Sequence, residues 1–379
     1  MVTEDYALEV KDLTKLFGQL VAVDHISFNV NRGEFFGFLG PNGAGKTTTV
    51  RMLTGIIKKN DGEARVMGYP AGSIRAKQLS GVMPELSNAY LDLTAWGNLM
   101  LMAELYRLPK AKAEERAGSL LTQLGLFERK NSLASTYSMG MRKRLVLCMA
   151  LLPDPQILFL DEPTSGLDVQ SVRFIHVMLK NLKQEGKTIL FTTHNMEEAA
   201  EMCDRVAIIN RGRIVAMNTP DNLSITGGRI FLVDVSFDRP VNTEQLAQLP
   251  GVNRLETTQA IEAADRLRAQ QAMASVGKPG GMGGGGGGQG RMQVQMAGGP
   301  AAGAALRGMG AGKLPGVDNG EGKKSENRFR LFTENTTLLV GSLVDFSRAN
   351  SLQMNILNVR PPSLEDAFVR LTEEKSHVK

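Results

Sequence analysis

The chain has 379 residues and is 42% hydrophobic, enough for two or three domains with their own cores. Its net charge of +5 is small for this length, and no long basic block is interleaved with aromatics, so nucleic acid is not an expected partner. Its two cysteines, Cys148 and Cys203, lie far apart in apolar, helix-like surroundings, which fits two buried thiols better than a disulfide or a metal site. Met1–Val10 carries acids and no apolar core, against a signal peptide. No apolar run approaches the ~18 residues of a membrane span, so a membrane process would need its spans from another chain.

Residues 6 to about 225 alternate short apolar runs with helical patterns, which predicts an α/β core. The first motif is "FFGFLGPNGAGKTTT". An apolar strand-like run, Phe35–Leu39, leads into Gly40, Pro41, Asn42, Gly43, Ala44, Gly45, Lys46, Thr47 and Thr48, and a helical pattern follows. Strand, glycine-rich loop and helix are the context of a phosphate-binding loop. Its N–H groups and the helix dipole attract phosphate, Lys46 neutralises the β and γ phosphates, and Thr47 is a Mg²⁺ ligand. The loop alone does not choose between a kinase, a GTPase, a motor and a transporter.

"QILFLDEPTSGLD" narrows that choice. Ile157–Leu160 reads as a buried strand ending in Asp161 and Glu162. A carboxylate at a strand end beside a phosphate loop suits Mg²⁺, which assigns Asp161. Glu162 then polarises an attacking water, and two adjacent acids point to hydrolysis. "TILFTTHN" is another core strand with His194 at its tip, where parallel α/β sheets place ligands. His194 is read as a donor to the γ-phosphate or to the water.

Past about residue 225, a smaller unit is predicted from 229 to 372. "IFLVDVSF" alternates as a strand, and a short helix near "TEQLAQL" and a strand near "VNRLET" follow. "EAADRLRAQQAM" reads as helix. Residues 277–327 are too glycine-rich to bury a core and read as a disordered insert, or else as a flexible tether or partner-binding loop. "FRLFTE" (strand), "TTLLVGSLVDFSRAN" (helix) and "MNILNV" (strand) complete a β-α-β, insert, β-α-β order consistent with a ferredoxin-like unit. In the last helix, from "PPSLEDAFVRL", Ser363 and Asp366 form a capping box.

The stretch "YSMGMRKRL" (137–145) is neither a triad nor a metal site. With Gly40–Thr48, "LFLDEP", "SGLD" and "TTHN", in this order and relative spacing, it resembles the signature of the ABC transporter ATPases, over about residues 6–225. The distance from Lys46 to Ser138 leaves room for a helical subdomain, about 86–150, but not for a long coiled coil. The resemblance implies a P-loop NTPase with a RecA-like core, with ATP and Mg²⁺ as cofactors. It also implies a head-to-tail dimer with a second copy of the chain. In that dimer Ser138 and Gly140 close on the nucleotide held by the other copy, and Asp168 lies at the dimer seam. A capping serine and a glycine that lets N–H groups come close suit phosphate. Arg142, Lys143 and Arg144 start the helix that follows, where they are unfavourable for its dipole but attractive to a triphosphate, or else form a solvated basic face, and none of the three is assigned to catalysis.

Several positions depart from the family pattern. Met139 and Met141 replace a glycine and a glutamine, as in the drug- and ion-exporter (daunorubicin-resistance-like) branch. Glu85 stands where a glutamine that senses Mg²⁺ and the membrane partner is usual, and it accepts but cannot donate. Phe17 is either the adenine-stacking aromatic or a core residue. In the segment after Glu85, Trp96, Met100, Met102 and Tyr106 either meet a membrane subunit or form the core of the helical subdomain. The expectation is an ATP-hydrolysing subunit, peripheral on the cytoplasmic face of the membrane, energising a separate transmembrane permease that exports a drug-like or other small substrate. The alternatives are a soluble ABC-type ATPase acting on ribosomes or nucleic acid, and a regulatory module.

Overall fold

The computed structural model describes residues 6–85, 89–225, 230–257 and 327–374. The expected helix at 262–273 and the glycine-rich stretch, apart from Asn327 at its end, lie outside these residues. Among the described residues no helix is long and apolar enough to cross a membrane.

A six-stranded sheet forms the middle layer. Its strands are β3 (Phe35–Leu39), β6 (Ser80–Met83), β7 (Ile157–Asp161), β8 (Thr188–Thr193), β9 (Arg205–Asn210) and β10 (Arg213–Asn218), in the order β10-β9-β3-β8-β7-β6. All neighbours are parallel except β10, which pairs antiparallel with β9. Every residue of β3, β7 and β8 is buried, as expected of a parallel sheet covered on both faces. Alternate side chains feed two cores: Phe35, Leu39, Leu158 and Leu160 point into one, and Phe36, Phe38, Ile157 and Phe159 into the other.

The second of these cores is closed by an antiparallel sheet ordered β2-β1-β4-β5, made of β1 (Tyr6–Phe17), β2 (Leu20–Asn31), β4 (Asp61–Val66) and β5 (Tyr69–Pro70). Phe28 of β2 stacks on Phe36 with centroids 5.7 Å apart and meets Phe38 edge-on at 4.9 Å, joining the two sheets. The first core runs into a helical lobe of α3 (Ala95–Leu105), α4 (Lys110–Gln123) and α5 (Met139–Leu151). Helices α1 (Lys46–Leu53), α2 (Ile74–Gln78), α6 (Val169–Gln184), α7 (Met196–Met202) and α8 (Pro220–Ser224) complete this part of the chain.

The remaining residues build β11 (Phe231–Phe237), α9 (Thr243–Ala247), β12 (Arg254–Thr257), β13 (Arg328–Thr333), α10 (Thr336–Ala349) and β14 (Met354–Arg360). Their sheet is antiparallel, ordered β12-β13-β11-β14. One face packs Val233, Val235 and Phe237 against Leu246 of α9 and Leu339 and Leu343 of α10. On the other face Asp234 is buried among arginines, accepting from Arg330 Nε at 2.9 Å and from Arg360 at 2.6 Å, with Arg328 at 3.8 Å. The last helix, α11 (Leu364–Glu374), starts at a capping box in which Ser363 and Asp366 exchange hydrogen bonds. It turns back onto α7, α8 and β10, where Leu364 is buried in the first core, Phe368 and Leu371 pack against that core, and Ala367 is also buried.

Candidate functional site

The carboxyl ends of β3, β6, β7 and β8 converge on one edge of the central sheet, where open parallel sheets hold ligands. The loop after β3 wraps the N-terminus of α1. Gly45 takes φ 108°, a left-handed value, and a Cβ there would stand 2.6 Å from the Ala22 carbonyl, so only glycine fits. Beside the loop is a cleft of about 610 Å³ lined by Phe17, Leu20, Val21 and Ala22, by Pro41 to Thr48, and by Glu85, Glu162 and Arg211. Phe17 is half exposed on its wall, with Lys15 Nζ 5.0 Å from the ring centroid, so it is not a core residue. Spacing alone did not mark Leu20, Val21 and Arg211, because other turns carry them to the cleft.

Lys46 is buried, and its ammonium donates to the carbonyls of Gly40 (2.6 Å) and Pro41 (3.2 Å) and lies 3.3 Å from Glu162 Oε1. Thr47 Oγ1 donates to Asp161 Oδ1 at 3.1 Å, and Thr192 Oγ1 to the same oxygen at 2.5 Å. These hard oxygens suit Mg²⁺. Among the described residues no three His, Cys, Asp or Glu gather as a metal site, so an ion at Thr47 and Asp161 would draw its other ligands from phosphate and water. Glu85 is exposed on the cleft wall, and the hydrogen bond it makes is through its main-chain carbonyl.

Glu162 follows β7 in a left-handed conformation, φ 49°, pinned by its N–H to the carbonyl and hydroxyl of Thr192, both at 3.1 Å. Its Oε2 is 2.9 Å from His194 Nδ1. Its Oε1, buried beside Lys46, has no aligned hydrogen-bond donor. Burial pushes this carboxyl up, but the His194 hydrogen bond and the Lys46 charge outweigh it and hold the group below its ordinary 4.5. The same hydrogen bond raises the His194 imidazole above 6.5 against its own burial. The arrangement is an ionised carboxylate at the mouth of a phosphate cradle, able to accept a proton from water.

Ser138 caps α5, accepting from the Met141 N–H at 3.2 Å. A Cβ at Gly140 would stand 2.7 Å from Ser171 Oγ, so the glycine lets α5 pack against α6. Neither Ser138 nor Gly140 lines the cleft of its own chain. Asp168 caps α6 by accepting from the N–H and hydroxyl of Ser171. The basic run after the signature is not one solvated face. Arg144 donates to the carbonyls of Gly140 and Leu124 and stacks on Phe174, while Lys143 is among the largest fully buried side chains. A second buried network went unread: Glu198 accepts from Thr164 (2.6 Å) and Thr193 (2.8 Å) and meets His176 at 2.7 Å. Thr164 and Thr193 sit in motifs that were recognised, but their partners come from α6 and α7.

Trp96, Met100 and Met102 are half-buried against the first core, with Lys130 Nζ 5.4 Å from the Trp96 ring centroid, and Tyr106 is half-buried at the end of α3. The exposed large apolar side chains of that lobe include Tyr90, Leu91, Leu105, Phe127, Leu133 and Met139. Cys148 and Cys203 are buried free thiols, both pushed well up by burial.

Comparison with known proteins agrees with this geometry. Residues 23–165 match the ABC transporter family model. Linearmycin resistance ATP-binding protein LnrL of Bacillus subtilis is 39% identical over 218 residues, 57% of this chain and 70% of LnrL. The chain belongs to the ABC transporter ATP-binding subunits. Nod factor export ATP-binding protein I of Ralstonia nicotianae is 41% identical over 57% of this chain and 68% of its own length. Among solved structures, an ABC transporter ATP-binding subunit at 30% identity superposes with a TM-score of 0.55, covering 58% of this chain and 93% of its own. The protein cbiO1 of Clostridium perfringens, part of the ABC transporter complex cbiONQ, does so at 28% identity and 0.53, covering 58% and 90%. The matched ABC cassette binds and hydrolyses ATP.

Proposed function

We propose that this subunit powers export through a separate transmembrane permease at the cytoplasmic face of the membrane, with two copies packed head to tail around two MgATP. The observation that carries the mechanism is Glu162, ionised between Lys46 and His194 at the end of β7. In this reading Gly40 to Thr48 cradle the triphosphate, Phe17 stacks on adenine, and Thr47 and Asp161, with Glu85 behind them, hold Mg²⁺. A bound Mg²⁺ would supply charge neutralisation at the triphosphate. Glu162 orients the attacking water and takes its proton, while His194 holds the carboxylate and faces the γ-phosphate.

Ser138 and Gly140 act on the partner copy's nucleotide, which is supported by their position outside their own cleft. Tyr90 and Leu91, exposed after Glu85, are read as the permease contact. The relatives' names, linearmycin resistance and Nod factor export, support export of a small substrate. We read 229–372 as an accessory ferredoxin-like domain interrupted by the 277–327 insert. Its strand order, with β11 central and β14 and β12 at the edges, supports that topology.

The test is the solution mass of Glu162→Gln with and without MgATP, by size-exclusion light scattering. Bound, unhydrolysed ATP with a monomer-to-dimer shift is expected. A monomer under both conditions, with ATP demonstrably bound, overturns the head-to-tail reading for the isolated subunit.

A further inference from the structure

Lys143 lies in α5 little more than one turn beyond Ser138, and only 2% of its surface is exposed. Its ammonium donates to two main-chain carbonyls, those of Glu85 at 2.8 Å and Glu162 at 3.0 Å. These residues follow β6 and β7, which are adjacent parallel strands, so one side chain bridges two neighbouring strand ends. A lysine is rarely buried this completely unless paired, and burying an ammonium costs several kcal/mol before compensation. Here the two carbonyls supply hydrogen bonds, and the surrounding carboxylates of Glu85, Glu162 and Asp161 supply opposite charge. The contact bears on the reacting group, because the Glu162 backbone is already held at φ 49° by Thr192 on its N–H side. Lys143 holds its carbonyl, so the peptide units on both sides of the Glu162 Cα, from which the carboxylate projects, are tethered.

We propose that Lys143 is a positioning residue that links the helix bearing Ser138 and Gly140 to the Glu85 and Glu162 loops of the same subunit. A displacement of α5, as when its N-terminus closes on the partner's nucleotide, then reaches the orientation of Glu162. This deepens the reading in which Glu162 acts on water and α5 acts in trans, and rests on it. Lys143 touches neither the phosphate cradle nor the adenine wall, so its removal spares nucleotide binding and slows turnover.

The experiment uses the full-length chain with Lys143→Met, which keeps the apolar stem and removes cation and donors, and Lys143→Gln, which restores neutral donors. For Lys143→Met, kcat of the MgATPase is expected to fall about tenfold or more while KM stays within about twofold, as for misorientation of a catalytic group. Amide hydrogen exchange in the nucleotide-free chain should quicken about fivefold or more after β6 and after β7, and not in the phosphate loop. Lys143→Gln should recover part of both effects. Wild-type kcat together with wild-type exchange in Lys143→Met overturns the proposal. So does a fall in kcat with a comparable rise in KM in both variants. If Lys143→Met does not melt cooperatively, Lys143→Gln against wild type carries the same comparison. A wild-type chain without turnover would count against the hydrolytic reading, while the exchange data would still decide whether Lys143 ties the two loops.

Discussion

The nucleotide edge of the cassette and the C-terminal sheet handle buried charge in opposite ways. At the cassette edge Lys46, Lys143, Asp161, Glu162 and Glu198 are all buried, and each reaches a partner on a different element. In the C-terminal sheet the helix-covered face is apolar, and buried charge on the opposite face centres on Asp234 and Arg330. Where every strand is covered on both faces, polar work is confined to strand ends, and charges there hold loops that must act on a ligand. Where an antiparallel sheet has one free face, a charge cluster can instead serve as part of the domain's own packing. Charge removal should therefore damage function in the first region and stability in the second.

The sharpest way to break that contrast is Asp234→Ala. It leaves Arg330 buried without its counter-ion and should cost about 3–5 kcal/mol of C-terminal stability. A lower melting temperature with MgATP affinity within about twofold of wild type is the expected result in calorimetry and titration. A loss of nucleotide binding would merge the two regions. Conversely, Lys46→Met should weaken ATP binding about 100-fold, from loss of a charge-assisted hydrogen bond worth up to about 3 kcal/mol, while leaving C-terminal unfolding unmoved. Fluorescent-nucleotide titration beside calorimetry reads both.

Smaller changes sharpen the boundary between the regions. Leu364→Ala empties a buried site where α11 meets the cassette and should cost about 2–3 kcal/mol. If the two units unfold separately, the loss should appear in both transitions in denaturant, because the contact is shared. Ser363→Ala removes the cap of the same helix and should cost about 1 kcal/mol, measured the same way.

The smallest effect is the pH response of Glu162 and His194. Glu162 is lowered, so its contribution is complete above 4.5 and lost as pH falls through the lowered value. His194 is raised, so its contribution is complete below 6.5 and lost as pH rises through the raised value. Wild type should therefore lose melting temperature relative to His194→Ala as pH rises from about 6.5 to about 9. Parallel pH curves for the two chains would show that the pair adds no charge to the native state.

The strands carrying the nucleotide motifs were legible because each is a short apolar run ending in a polar motif, and the phosphate loop announces itself by glycine spacing. Phe17 was not decided by pattern. The pattern left it open between an adenine-stacking and a core aromatic, and its place at the end of β1, beside the turn into β2, sets it on the cleft wall. Trp96 and its neighbours were equally ambiguous, and packing against the first core settled them as half-buried.

What the sequence determined by itself was local: strand, loop and helix around Gly40 to Thr48, the acids closing β7, the cap at Ser138 and the box at Ser363. These rest on residues close together along the chain, where propensity and hydrogen bonding need no distant partner. The tertiary structure decided every contact between elements distant along the chain. It put Lys143 of α5 on the carbonyls after β6 and β7, gathered Thr164, Thr193 and His176 on Glu198, and returned α11 to the cassette. A lysine between two arginines reads as solvated because pattern registers composition and period, whereas burial depends on which strand ends fold over it.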